Sequence, residues 1–246
     1  MITVAHLWRH PIKSHGREEV QSVELTEGAT FPWDRTWAVT HAGSRTDGRA
    51  WAPCANFSRV SKAPELMAIT ATLDTPTRTV TLRHPKRTDL TFRPDEEPDL
   101  LLDWVKDLMP ENRAQSCGLV SVPGRGMTDS DYPTISINTL ASHNAVSKKA
   151  GKTLEKERWR GNIWLSGTEA WEESNWIGKT LRLGNAEIEV REPIERCMAT
   201  TANPQTGERD IDTLALLQSW GHQNFGVYGV VSKTGTIHAG DSVAVL

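Results

Sequence analysis

Short β-type segments, each bounded by turn residues, recur along the first hundred residues and limit the chain to a small number of folds. Two of these segments flank Asp74-Thr75-Pro76, a pattern that predicts a β-hairpin. Strands of this length at regular spacing are typical of a β-barrel or a β-sandwich. The segments are residues 4–8, 20–25, 36–40, 68–73, 79–83 and 90–92.

The rest of the sequence predicts a few helices among further strands. The predicted helices are residues 100–109, ended by Pro110; a helix capped by Asn138 or Thr139 and ended by Gly151; and residues 214–220, ended by Gly221. The further strands are 118–122, 134–137, 162–165, 180–190, 225–231 and 237–245, the last two forming a hairpin pair. The Pro- and Gly-containing residues 123–131 predict a mobile loop. We therefore expect a mostly β protein with a few helices (α+β), divided near residues 110–118.

Composition excludes several functional classes. The 246 residues carry a formal net charge of -3, which gives no general attraction to nucleic acid. The three cysteines, Cys54, Cys117 and Cys197, form no C-x-x-C pair, which argues against a disulfide framework or a structural zinc site and fits a reducing compartment. No signal peptide and no apolar run of membrane-spanning length is found. We expect a cytoplasmic protein without membrane or nucleic-acid partners.

Cys197 is the residue best suited to bind a soft metal. It follows Arg196 and precedes the turn-forming residues 203–207. A neighbouring cation favours the thiolate, which is the form that ligates metals. The residue types alone leave open the alternative that this cysteine is buried and inert.

Cationic and short polar residues also stand near the ends of predicted strands, where they could bind an anion. Each of them taken alone fits an ordinary solvated surface. Residues 136–139 lie where a strand meets a helix N-terminus, which attracts negative charge. The groups are Pro11-Ile12-Lys13-Ser14-His15-Gly16, Trp33-Asp34-Arg35, residues 136–139, Arg158-Trp159-Arg160-Gly161-Asn162 and Arg196-Cys197.

The order of these groups resembles the MOSC superfamily, the molybdenum cofactor sulfurase C-terminal domain, together with the β-barrel domain that commonly precedes it. The sequence is most similar to the mitochondrial amidoxime-reducing components and their bacterial counterparts. The Arg-Cys element followed by Pro-x-Thr-Gly is the most specific part of the resemblance. The matching motifs are Pro11-Ile12-Lys13-Ser14, Asp34-Arg35 with Trp37, Asp131-Tyr132-Pro133 leading to residues 136–140, Arg160-Gly161-Asn162-Ile163, Pro193-x-x-Arg196-Cys197 with Pro204-x-Thr206-Gly207, and Phe225-Gly226-Val227-Tyr228 with Gly240-Asp241-x-Val243.

The resemblance implies an N-terminal β-barrel domain at residues 1–112 and a MOSC β-barrel domain at residues 113–246. It also implies a molybdenum cofactor (molybdopterin, a pyranopterin), with Cys197 as metal ligand and catalytic residue. The residues implied to bind the cofactor are Lys13, Ser14, Arg35, Asn138, Thr139, Arg160, Asn162 and Arg196. Arginine suits this role because its planar guanidinium binds phosphate through paired hydrogen bonds.

The implied activity is that of a molybdenum-cofactor oxidoreductase that reduces the N–O bond of a small N-hydroxylated substrate. No iron–sulfur cluster is expected in this chain, so electrons would come from a separate donor protein of ferredoxin or flavoprotein type. No proton donor stands out, and His15, Asp129 and Asp131 are the candidates. Two departures from the family pattern leave the substrate open: His15-Gly16 after the Lys-Ser pair, and residues 50–60, which include Cys54.

Two other interpretations remain. A non-catalytic MOSC protein that carries molybdenum cofactor or sulfur would use the same cysteine and the same cations. A β-barrel binding module without metal would use neither, and Cys197 would then serve only in packing.

Overall fold

The computed structural model describes residues 1–122 and 124–246, and within them the chain is mostly β with three α-helices. No helix in this part of the chain is long and apolar enough to cross a membrane. The strands are β1 (Ile2–Arg9), β2 (Ile12–Lys13), β3 (Glu18–Val20), β4 (Ser22–Leu25), β5 (Trp37–His41), β6 (Thr70–Asp74), β7 (Thr79–His84), β8 (Arg87–Phe92), β9 (Ser116–Ser121), β10 (Ile135–Thr139), β11 (Ile163–Ser166), β12 (Thr180–Leu183), β13 (Ala186–Glu195), β14 (Asn224–Lys233), β15 (Gly235–His238) and β16 (Ser242–Val245). The helices are α1 (Pro98–Val105), α2 (Leu140–Ala150) and α3 (Thr213–Gln218).

Seven strands close into a β-barrel in the order β11-β10-β14-β13-β12-β16-β1, because β1 pairs back onto β11. Side chains alternate inward and outward along each strand. Along β13, for example, Ala186, Ile188 and Val190 are wholly buried, while the residues between them are half-buried. Because β1 starts the chain and β16 lies near its end, both ends of the sequence meet in this barrel.

The remainder of the N-terminal half packs around a second core. Strand β5 lies between β2, to which it is parallel, and β9, to which it is antiparallel, while β6, β7 and β8 form an antiparallel meander. Trp37 of β5, Leu82 of β7 and Leu101 of α1 meet in this core. Complete burial of a large apolar side chain stabilises a fold by roughly 1.5–3 kcal/mol.

The second helix has the ends that its sequence predicts. The Thr139 side chain accepts a hydrogen bond from the backbone N–H of Ser142, and Gly151 ends the helix with φ 69° in the left-handed region. Val146 of α2 and Leu217 of α3 then pack against an aromatic core formed by Trp159, Trp164 and Phe225.

Most of the predicted elements are confirmed, with shifted bounds, and the predicted hairpin is β6–β7. The predicted hairpin pair at the tail is wrong, because β15 pairs with β4 while β16 pairs with β1 and β12. The reason is burial: Ile237 of β15 enters the barrel core together with Leu25 of β4. Residue 123 of the predicted loop lies outside the described residues. The mobility of that loop and the domain division at residue 112 stay predictions.

Candidate functional site

Most of the predicted site residues line one cavity of about 300 Å³ between the barrel and the N-terminal core. They come from the ends of strands β2, β11 and β13 and from the segments beside them. The predicted residues on its wall are Lys13, Ser14, Arg35, Arg160, Asn162, Arg196 and Cys197. Asn138 and Thr139 do not line it.

Cys197 presents an exposed thiol on the wall of this cavity. The residue follows β13 with extended backbone, and its carbonyl accepts hydrogen bonds from the backbone N–H (3.2 Å) and the hydroxyl (3.1 Å) of Thr200. The alternative that this cysteine is buried is therefore wrong. An accessible cysteine on a cavity wall is open to a ligand.

Arg196 is held rigidly by three neutral acceptors. Its Nε donates to the carbonyl of Phe225 (2.8 Å), Nη1 to the carbonyl of Trp159 (2.7 Å) and Nη2 to Oδ1 of Asn138 (3.0 Å). Burial lowers the pKa of Arg196 to about 10, against the opposing effects of Tyr228 and Cys197. The guanidinium is therefore charged at neutral pH and is not neutralised by these contacts. Asn138, fully buried, reaches the cavity only through Arg196.

Arg160 has a donor without an acceptor. Its backbone is left-handed, with φ 49°, and Nη2 donates to the carbonyl of Gly16 (3.2 Å). Its Nη1 is buried and has no hydrogen-bond partner among residues 1–122 and 124–246. Burial, and then the charges of Arg35 and Arg17, lower the pKa of Arg160 to about 9. A buried unpaired donor on a cavity wall costs stability unless a ligand accepts from it.

Arg35 is oriented by a buried carboxylate behind the cavity wall. Asp34 accepts from the guanidinium of Arg35 and, through Oδ1, from the backbone N–H (2.7 Å) and Nδ1 (2.9 Å) of His10. Burial would raise the pKa of Asp34, but Arg35 and His10 together hold it well below its usual range. Burial, and then the charge of Arg160, lower the pKa of His10 to about 3, so the imidazole is neutral. The carboxylate thus keeps Arg35 at the cavity.

Lys13 is paired with Asp129 on the cavity wall. Its Nζ donates to Oδ1 of Asp129 (2.5 Å) and to the carbonyl of Met127 (2.7 Å). Partial desolvation opposes ionisation of Asp129, whose side chain is still 57% exposed, but the charges of Lys13 and Arg35 outweigh it and lower its pKa to about 2. Asp129 is therefore ionised at neutral pH and is a poor proton donor. The other two candidate donors, His15 and Asp131, do not line the cavity.

Asn162 and Thr139 are largely occupied by contacts within the fold. Oδ1 of Asn162 accepts from the backbone N–H (3.1 Å) and hydroxyl (2.8 Å) of Ser136, which joins β10 to the start of β11. Thr139 caps α2 and donates to the carboxylate of Glu173 (3.0 Å). Asn162 thus forms part of the cavity floor, whereas Thr139 supports the helix behind it.

Sequence reasoning missed several polar residues of the wall, among them Tyr228, Cys54, Arg59 and Ser61. Tyr228 lies on β14, and burial, followed by the charge of Asp129, raises its pKa to about 12, so its hydroxyl is protonated at neutral pH. The motif ending in Tyr228 belongs to the family pattern, but the sequence alone does not assign it to the site. Cys54, Arg59 and Ser61 come from a segment whose sequence carries no signal for a site.

Across residues 1–122 and 124–246, no group of three or more His, Cys, Asp or Glu side chains is arranged to hold a metal ion. The cavity instead combines one accessible thiol with guanidinium groups, of which Arg160 and Arg196 have no carboxylate partner in the described part of the chain. This donor set suits a ligand that carries phosphate and a soft metal.

Comparisons with known proteins find three similar sequences whose printed names concern amidoxime reduction or the molybdenum cofactor. The chain is 31% identical to human mitochondrial amidoxime reducing component 2 over 126 residues, which are 46% of this chain and 37% of that protein. It is 24% identical to mouse mitochondrial amidoxime-reducing component 1 over 295 residues, covering 99% of this chain and 82% of that protein. It is 27% identical to the molybdenum cofactor sulfurase of Drosophila yakuba over 137 residues, covering 51% of this chain and 17% of that protein.

Two family models match consecutive parts of the sequence. The MOSC N-terminal beta barrel domain matches residues 1–110, and the MOSC domain matches residues 127–244. Between them they include every residue on the cavity wall that was predicted from the sequence. The chain therefore belongs to the MOSC family.

Proposed function

We propose that the cavity binds a molybdenum cofactor, with the thiolate of Cys197 as the protein ligand to the metal. The observation that carries the proposal is the buried, unpaired Nη1 of Arg160 in a cavity that also holds an accessible thiol. Lys13, Ser14, Arg35, Arg160 and Asn162 would hold the phosphate and the pterin. Arg196, fixed by Asn138, would favour the thiolate form of the neighbouring cysteine.

The proposed activity is reduction of a small N-hydroxylated compound. The N–O bond breaks, two electrons and two protons enter, and the products are the N–H compound and water. When bound, the cofactor would supply the two-electron redox chemistry, and the protein would supply binding and orientation. The printed names of the amidoxime-reducing relatives support this substrate class.

The chain's own residues account for charge and protons in this proposal. Arg160 and Arg196 remain cationic at neutral pH, so they would hold an anionic ligand throughout the reaction. Tyr228 carries a hydroxyl on the wall that stays protonated at neutral pH, and because its raised pKa makes it a weak acid we assign it as a hydrogen-bond donor to the substrate; His15 and Asp131 do not line the cavity. Electrons would come from a separate ferredoxin or flavoprotein, in a reducing compartment such as the cytoplasm. We also keep residues 1–112 and 113–246 as the two domains.

The test is turnover of benzamidoxime to benzamidine with a chemical reductant, using protein from a host that makes the cofactor. Reduction by the wild type that is lost in Cys197→Ala supports the proposal. If the wild type contains the metal but does not reduce benzamidoxime, the proposal is contradicted.

A second function, as a carrier of cofactor or sulfur, is favoured by the exposure of the Cys197 thiol, which leaves its sulfur open to a partner. Similarity to a molybdenum cofactor sulfurase supports the same alternative. A carrier would hold cofactor, or a Cys197 persulfide detectable by mass spectrometry, and would not reduce benzamidoxime.

A further inference from the structure

One stretch of the cavity wall has no part in the proposed cofactor site. The segment of residues 54–61 contributes Cys54, Arg59, Val60 and Ser61 to the lining. It belongs to the region whose sequence departs from the family pattern, so it is a place where this chain can differ from its relatives in what it binds.

Arg59 brings a positive charge to the cavity that no carboxylate of the described chain neutralises. Within the described residues, its side chain makes one hydrogen bond, from Nη1 to Sγ of Cys54 (3.3 Å). Arg59 resembles Arg160 and Arg196 in lacking a carboxylate partner in this part of the chain, whereas Lys13 is paired with Asp129 and Arg35 with Asp34. Half-buried and unpaired, the Arg59 guanidinium is set to attract an anionic group.

The free edge of the guanidinium has the geometry of a carboxylate receptor. Cys54 accepts from Nη1 of Arg59. The N–H groups of Nε and Nη2 have no acceptor within the part of the chain that the structure describes. These two donors lie on one edge of the planar group, and such a pair binds both oxygens of a carboxylate. Val60, Ile194 and Ala199 lie along the same cavity; Val60 and Ile194 are buried in its wall, and Ala199 is half-buried.

The segment that carries Arg59 is fixed on both sides. The N–H of Ser58 donates to the carbonyl of Val39 (2.8 Å), and the carbonyl of Arg59 accepts from the N–H groups of Lys62 and Ala63 (both 2.9 Å). Val60 is 2% exposed and packs into the N-terminal core. A receptor on rigid backbone loses little entropy when it binds.

A second contact ties this segment to the loop that follows Cys197. Nη2 of Arg209 donates to the carbonyl of Ser61 (2.9 Å), while its Nη1 donates to the carbonyl of Met198 (2.5 Å). The position of the 54–61 segment is thereby set relative to the thiol.

We propose that Arg59, braced by Cys54, binds the carboxylate of the substrate and selects anionic N-hydroxylated compounds over neutral ones. The inference rests on the proposed function for the N-hydroxylated group. The phosphate of the cofactor is a second anionic group that would fit Arg59. The experiment must therefore distinguish the substrate carboxylate from the cofactor phosphate.

The experiment measures equilibrium binding of 4-carboxybenzamidoxime and of neutral benzamidoxime by calorimetry, without reductant, to protein from a cofactor-competent host. Loss of a charge-assisted hydrogen bond is expected to weaken binding of the carboxylate compound about tenfold in Arg59→Gln. Binding of benzamidoxime should be unchanged, and Arg59→Lys, which keeps the charge without the paired donors, should lie between. Arg49→Gln is the matched control, because its side chain is 89% exposed.

Pterin content of each variant and the kcat/KM for both compounds are measured alongside. Unchanged pterin with a selective loss for the carboxylate compound supports the proposal. Loss of pterin in Arg59→Gln assigns Arg59 to the cofactor phosphate and overturns it, as does an equal change for both compounds or no change for either. If the wild type binds both compounds but turns over neither, the proposed function fails, and the binding comparison still decides the role of Arg59.

Discussion

Acid should unfold this protein through two buried histidines beside the cavity before most of its carboxylates titrate. Burial, followed by the charge of Arg160, lowers the pKa of His10 from 6.5 to about 3. Burial also lowers the pKa of His15 from 6.5 to about 4, against a hydrogen bond to the carbonyl of Lys13, and Arg160 lowers it further. Because Nδ1 of His15 faces that carbonyl at 2.7 Å, the proton lies on Nδ1, and the buried Nε2 has no partner in the described part of the chain.

The sign and size of the effect follow from these shifts. Both histidines are neutral in the folded protein at pH 5, whereas the unfolded chain takes up protons below pH 6.5, so stability falls as the pH falls. Between pH 6.5 and pH 5, each histidine lowers the free energy of unfolding by about 1.4 kcal/mol per pH unit. The loss is therefore about 2 kcal/mol per histidine and about 4 kcal/mol for the pair. Burial lowers the pKa of His84 and His143 as well, which adds a change of the same sign.

The assay is urea unfolding of the wild type and of His10→Gln and His15→Gln at pH 7 and pH 5. Each substitution should reduce the loss of stability between the two pH values by about 2 kcal/mol, whatever it does to stability at pH 7. His238→Gln is the matched control, because its side chain is 60% exposed, and it should leave the difference unchanged. If both variants keep the whole wild-type difference, the assignment of neutral, buried histidines is refuted.

Three substitutions around the cavity test its supports. Gly161→Ala should lower the pterin content, measured by oxidised-pterin fluorescence, severalfold, because an added Cβ would lie 1.6 Å from Nδ2 of Asn138. The control Gly43→Ala, where the nearest contact of an added Cβ is 3.4 Å, should keep the wild-type pterin content. Thr139→Ala should lower the free energy of unfolding by about 1 kcal/mol through loss of the helix cap and should keep its pterin. Loss of pterin from this variant would instead make Thr139 a cofactor ligand. Asn162→Ala should cost about 1–3 kcal/mol in urea unfolding because it leaves buried donors unpaired, and an unchanged midpoint would contradict that role.

The local parts of the fold could be predicted from the sequence because their signals are local. The β6–β7 hairpin, the cap at Thr139 and the end of α2 at Gly151 each depend on a few adjacent residues. Strand pairing is different, because it depends on partners far apart in the chain. The pairing of β15 with β4 joins Ile237 to Val23, and no local pattern specifies it.

The site residues also divide into those with a local sequence signal and those without one. Cys197, Arg160 and Arg35 were identified because they lie in short motifs, and they line one cavity. Asn138 lies in such a motif too, but it is fully buried outside the lining, and its Oδ1 accepts a hydrogen bond from Nη2 of Arg196 on the wall. Arg59 has no motif, and its importance appears only once the fold shows which cations lack a carboxylate partner.

The most direct test of the account is the molybdenum and pterin content of the wild type and of Cys197→Ala, both purified from a host that makes the cofactor. The account predicts about one molybdenum per chain with pterin in the wild type, and pterin with little molybdenum in the variant, because the cations that would hold the phosphate remain. Absence of both molybdenum and pterin from the wild type would contradict the account and leave a β-barrel protein whose cavity binds some other anion.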